Sequence, residues 1–193
     1  MKTSCTLFLL IFMSMSSHAQ YTNKLPYYEI PEAAKEYTAG TVASRMVDGL
    51  GFRYYWATEG LTAKDLAFKP NNEARTSEET IDHILELTQM IVNSTLQVVN
   101  GTPQPKMAFI EKREKTLLNL QKASKILRNS TDVSQFKIVF KKGDNTTEFP
   151  FWNQLNGPIS DALWHVGQVV SFRRSSGNPL PKGISVFSGK VKK

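Results

Sequence analysis

The chain has 193 residues, 40% hydrophobic, 10% aromatic and 21% charged, with 24 basic side chains against 17 acidic ones for a formal net charge of +7. This is globular composition, and it excludes a disordered, fibrous or low-complexity chain. The single cysteine excludes a disulfide scaffold and any Cys-rich zinc module, and the length suits one domain with a sizeable core.

Residues 1–20 hold Lys2, an apolar run from Leu7 to Met13 and then the small-residue stretch Ser17-His18-Ala19. That order predicts a secretory signal peptide cut after Ala19, so the expected location is periplasmic or secreted. The apolar run is shorter than the roughly 20 residues of a membrane span, and no other run is long enough, so no membrane span is expected. Cys5 falls in the removed part, which leaves no thiol for nucleophilic or thiolate-metal chemistry. The basic excess is spread out and clusters only at Lys190, Lys192 and Lys193. A nucleic-acid face would group Lys and Arg with stacking aromatics, so no nucleic-acid partner is expected.

Residues 20–35, with Pro26 and Pro31, read as an extended lead-in. From Ala33 to Thr58 the pattern is helical, with Val42, Met46, Leu50 and Tyr54 as its buried stripe and a bend expected at Gly49 and Gly51. Leu61 to Arg75 reads as a loop. Thr76 with Glu79 three residues on is a capping-box signature, opening a helix that runs to Val99 and stops at Asn100-Gly101. Its apolar face is Ile81, Ile84, Leu85, Thr88, Val92, Thr95 and Val99. After the linker Thr102 to Lys106, a third helix spans Ala108 to Arg128, with Leu117, Leu120, Ser124 and Leu127 on one face. Phe136 to Phe140, the turn signal Gly143-Asp144-Asn145 and Thr146 to Phe149 read as a short hairpin within the long 131–157 connection. The last helix starts at Pro158, runs to Ser175 and ends at Gly177-Asn178-Pro179. Residues 182–193 are a polar, basic tail expected to be partly loose. The fold class is all-α: a four-helix bundle with one long crossover before its last helix, spanning 36–181.

His83 and His165 are the histidines beyond the signal segment. His165 follows Asp161 by four residues, which stacks the two side chains one turn apart on one helix face, and Gln168 continues that stripe. The stripe lies beside the core residues Ile159, Ala162, Val166, Val169 and Val170. His83 sits at the margin of the apolar arc of the second helix, next to Leu87. Two ligands spaced i,i+4 on one helix and a third from a facing helix can close a three-ligand site, which is how bundles hold metals. Two nitrogens and a carboxylate with open positions suit a divalent Zn, Ni, Mn or Fe ion. The same residues also fit a metal-free bundle that binds a small ligand or partner protein, with Asp161 and His165 as a helical ion pair.

The loop Leu61-Thr62-Ala63-Lys64-Asp65-Leu66-Ala67-Phe68-Lys69-Pro70, then Arg75-Thr76 before the helix with His83, then Trp164-His165-Val166-Gly167-Gln168, Arg173-Arg174 and Gly177-Asn178-Pro179 resemble the DinB/YfiT-like superfamily of four-helix bundles. The resemblance covers Glu36 to Pro181. It implies a divalent metal held by His83, His165 and the position of Asp161, where the family pattern has a histidine. It also implies a small-molecule substrate, with thiol-dependent transferases, isomerases and metal hydrolases among the family's activities; the exported location favours hydrolysis or group transfer without a cytosolic thiol. Bundles of the family often pair, which makes a homodimer the oligomer to look for.

Other residues have two readings each. Glu86, one turn from His83, is either an acceptor for the imidazole N–H or a solvated charge. Arg173 and Arg174 either receive an anionic substrate group or cap the helix C-terminus. Trp56, Trp152 and Trp164 either line a pocket or, more commonly, pack at the core or its edge. Ser94 and Ser171 have no evident histidine partner, so no serine triad is expected.

Overall fold

The computed structural model describes residues 25–102 and 105–192; the expected signal peptide and its cleavage site lie outside them. Threonine caps decide where the N-terminal elements begin. Thr38 opens α1 (Ala39–Thr58), its hydroxyl accepting from the Thr41 amide while the Thr41 hydroxyl accepts from the Thr38 amide. Thr62 opens the short α2 (Ala63–Leu66) inside the segment expected to be loop, with Asp65 as the reciprocal partner. Thr76 opens α3 (Ser77–Leu96) with the expected capping box, the Glu79 carboxylate accepting from the Thr76 amide at 2.7 Å. The helix α4 (Phe109–Arg128) starts where the Glu111 carboxylate accepts the Ala108 amide.

The expected hairpin is present as β1 (Ile138–Lys142) paired antiparallel with β2 (Asn145–Phe149) around the two-residue turn Gly143-Asp144. It is held to the bundle at one end. Ile138 and Phe136 are buried, and the Phe136 carbonyl accepts from Ser94 Oγ at 3.0 Å.

The last long helix begins earlier than expected. A single-turn α5 (Phe151–Gln154) runs through a π-helical turn, Leu155–Ile159, into α6 (Ser160–Ser176). Gly157 departs from helical geometry and Pro158 has no N–H to donate, so the ladder breaks at that step. Ser160 Oγ donates to the Leu155 carbonyl there at 2.6 Å. The helix α6 stops as expected at Gly177, whose φ of 99° is the left-handed C-cap.

The molecule is mostly helical. The helix α1 packs against α4 and α6, and α3 packs against α4 and α6, so the four long helices enclose one core in a helical bundle. That core is built from Val47, Leu50 and Tyr54 of α1, Ile84 and Ile91 of α3, Leu117, Leu120 and Leu127 of α4, and Ala162, Val166 and Val169 of α6. Helices α1 and α4 close tightly at one end: a Cβ on Gly40 would stand 2.3 Å from the Leu127 carbonyl oxygen.

Several expectations are corrected. Val42 and Met46 are exposed, while Leu50 and Tyr54 are fully buried. Residues spaced by four advance about 40° per step around a helix, so a stripe that is core at Tyr54 has rotated into solvent by Val42. The helix α1 runs unbroken through Gly49 and Gly51, and Gly51 receives the ring of Tyr27 where a side chain would stand. The helix α3 ends at Leu96, not Val99: Gln97 takes the left-handed conformation, and Asn100 is drawn out to the Val139 carbonyl at 2.8 Å. The described part of the tail carries secondary structure. The strands β3 (Ile184–Ser185) and β4 (Lys190–Val191) form a small hairpin. It clasps the lead-in through the Ile30 amide on the Gly189 carbonyl at 2.9 Å and the Lys190 ammonium on Glu29 at 3.1 Å. Among the described residues, no helix is long and apolar enough to cross a membrane.

Candidate metal centre

The capping box at Thr76 sets the axial register of α3, and its buried face, Ile84, Leu87 and Ile91, sets its rotation. With both fixed, His83 stands on the flank turned toward α6. On α6 the buried Ala162, Val166 and Val169 place Asp161 and His165 on the flank turned toward α3. The three side chains meet there. Their ligand atoms lie within 4.8 Å of one another, and the rings of His83 and His165 stand nearly perpendicular with centroids 4.7 Å apart.

Asp161 sits between the rings. Its Oδ2 is 3.4 Å from His83 Nε2, and its Oδ1 is 3.3 Å from His165 Nε2. The carboxylate thus reaches the two imidazoles through different oxygens. The side chains are partly open to solvent, at 26% for His83, 15% for His165 and 38% for Asp161, so an ion and a small molecule can reach them.

The other ring nitrogens decide what the facing ones can do. Gln168 Oε1, which can only accept, lies 2.7 Å from His165 Nδ1 and so places the hydrogen on Nδ1. The facing Nε2 is then either a lone pair, which together with the Asp161 oxygen could hold a cation, or in a protonated ring an N–H that donates to that oxygen. His83 Nδ1 faces Glu86 Oε2 at 3.6 Å, a looser version of the same arrangement. The group is therefore one that could hold a metal ion, with the His165 imidazole oriented by an acceptor behind it.

Of the residues singled out from sequence, the structure brings together His83, Asp161, His165, Gln168 and Glu86. The others do not join them. Trp164 is 72% exposed on the outer surface of α6, and Trp152 is equally exposed, so neither packs at the core edge; only Trp56 does. Arg174 lies nine residues beyond His165, about 180° around the axis at roughly 100° per residue, and lines a cavity on the opposite side of α6. Arg173 is a cap, but of a different helix. Its guanidinium is buried and donates to the carbonyls of Trp56 at 2.8 Å, Ala57 at 3.1 Å and Glu59 at 3.1 Å at the end of α1. Ser94 and Ser171 spend their hydroxyls on the Phe136 and Gly167 carbonyls.

Lys112 is a residue that sequence spacing missed. It is buried on α4 and bridges to Asp82 at 2.6 Å and Glu78 at 3.0 Å on α3, beside His83. Burial works against its charge, but the two carboxylates outweigh that and raise its pKa above the ordinary lysine value. Lys112, Asp82 and Glu86 line one cavity of about 540 Å³, whose lining includes none of His83, Asp161 and His165. Nothing in the α4 pattern marks Lys112 off from the other lysines of that helix; only its partners on α3 do.

No protein-family model matches the chain, and no curated protein or solved structure matches it.

Proposed function

We propose that this chain is a divalent-metal-dependent hydrolase or transferase acting on a small molecule, a DinB/YfiT-like bundle in which His83, Asp161 and His165 hold the ion. The observation that carries the reading is the convergence of two imidazole Nε2 atoms and a carboxylate from two different helices, with Gln168 orienting the ring of His165. The residue pattern around Trp164-His165-Val166-Gly167-Gln168 supports the family, and Asp161 in place of a histidine adds a negative charge to the donor set. Such a set leaves positions open and suits Zn, Ni, Mn or Fe.

A divalent ion bound there supplies Lewis acidity toward water or a substrate oxygen. The chain's own residues do the rest. Gln168 holds the His165 ring in one tautomer. Glu86 stands behind His83, on the side of the ring turned away from the ion. Lys112 and its two carboxylates tie α4 to the turn of α3 that precedes His83.

The test is elemental analysis of the purified protein beside His83→Ala and His165→Ala variants. The expected result is stoichiometric divalent metal in the parent and its loss from both variants. Metal retained at unchanged stoichiometry in either variant refutes the site. A parent that carries no metal after loading, and whose thermal stability a chelator leaves unchanged, favours the metal-free bundle.

A further inference from the structure

The face of α6 turned away from His165 carries a second cavity, of about 430 Å³, within the usual size of small-ligand pockets. Phe52 and Trp56 of α1 line it together with Val166 and Val170 of α6, and Ile184 and Val186 of the C-terminal hairpin close one side. Its walls are apolar, yet two arginines, Arg53 and Arg174, belong to its lining and no acidic residue does among the described residues. Arg53 is held in place by donating to the Gly49 carbonyl at 3.0 Å. Arg174 is exposed, and among the described residues no carboxylate pairs with it.

The floor adds an independent observation. Gly167 lies in the middle of α6 and lines the cavity. Glycine there weakens a helix relative to alanine, and packing does not demand it, since a Cβ at Gly167 would find no atom within 4 Å. The missing side chain leaves room where a ligand can lie against the helix backbone.

We infer that this cavity binds an amphipathic monocarboxylate, its apolar body between α1 and α6 and its carboxylate on Arg174, with Arg53 beside it. Apolar walls disfavour a ligand charged along its length. Two unneutralised guanidiniums disfavour a cation and match a carboxylate through paired N–H donors. The site stands apart from the metal centre, across the thickness of α6.

Calorimetric titration of the full chain, stripped of metal so that His83 and His165 hold no ion to compete for the carboxylate, tests this. The probes are decanoate, decan-1-ol and decyltrimethylammonium. Decanoate should bind, with the alcohol and the cation weaker by about tenfold or more, the worth of one charge-assisted contact. Arg174→Glu, an exposed change that spares the core, should reduce decanoate affinity by about tenfold or more. Gly167→Leu should abolish binding with an unchanged circular dichroism spectrum. Equal affinity for the acid and the alcohol, or no effect of Arg174→Glu, overturns the assignment of the carboxylate; undetectable decanoate binding overturns the site.

Discussion

Replacing Gln168 by leucine should weaken metal binding at the proposed site by between ten- and a hundredfold. The side chain's amide oxygen accepts from His165 Nδ1 at 2.7 Å in a partly buried setting. Leucine keeps the volume and removes the acceptor. The ring is then free to rotate about its Cβ–Cγ bond and to place its hydrogen on Nε2, the atom that must be a lone pair for ligation. Losing an oriented acceptor behind a ligating imidazole typically costs 10–100-fold in affinity, or about 1.4–2.8 kcal/mol. Gln168→Glu supplies the same acceptor with a full charge and should restore affinity to the parent value or better. Glu86→Gln should change it less than threefold, because Glu86 is 66% exposed and its oxygen stands 3.6 Å from His83 Nδ1, too long for a direct bond. Competition titration against a chromophoric chelator, with zinc, reads all three. Equal affinities for parent and Gln168→Leu, or a larger loss at Glu86 than at Gln168, would refute the assignment of Gln168 as the group that orients His165.

Three further outcomes follow from the packing around the site. Arg173→Met should destabilise the fold by about 1–3 kcal/mol or more, the usual cost of leaving buried acceptors unsatisfied, because it strands three carbonyls at the end of α1; urea unfolding measures it, and a loss below about 1 kcal/mol contradicts the cap. Gly51→Ala should lower the thermal midpoint even though alanine is the better helix former, since its Cβ would fall 2.5 Å from Tyr27 Cδ2; a raised midpoint would mean that Tyr27 does not seat there. Asp65 should lend the fold a pH dependence. Burial would raise its carboxyl, but bonds from Ser176, Asn178 and Thr62 outweigh that and hold it well below the usual carboxylate range. Its stabilising contribution is therefore complete above the unfolded value of about 3.9 and is lost as the pH falls toward the folded one. Asp48 works in the opposite direction, since burial pushes its carboxyl up. The measurement is thus the difference between parent and Asp65→Asn in urea midpoints across pH 2–5. A difference that stays constant across that range would contradict the shift.

Much of this was legible in the chain because it is local. The capping box at Thr76, the C-cap at Gly177 and the turn at Gly143-Asp144 each involve neighbours within a few residues. The pairing of Asp161 with His165 is likewise a property of one helix turn, and so was readable from spacing alone. The stripe on α1 was misread at Val42 and Met46 because a spacing of four drifts around the axis, and only the neighbouring helices say where the buried arc begins. Lys112 carried no signal in the spacing, and Arg173 caps a helix other than its own, for a related reason. Each is a cation on a helix whose partners, Asp82 on α3 and the carbonyls of α1, belong to segments far away in the chain.

The amino-acid order thus settled which residues can ligate and that Asp161 and His165 share a face. Whether His83 meets them was decided by the packing of α3 on α6, because rotation and axial offset between two helices are set by side chains interlocking across the core and leave no trace in the spacing of either helix. The placing of Gln168 one turn from His165 and of Arg174 on the far side of α6, by contrast, follows from the spacing within that one helix.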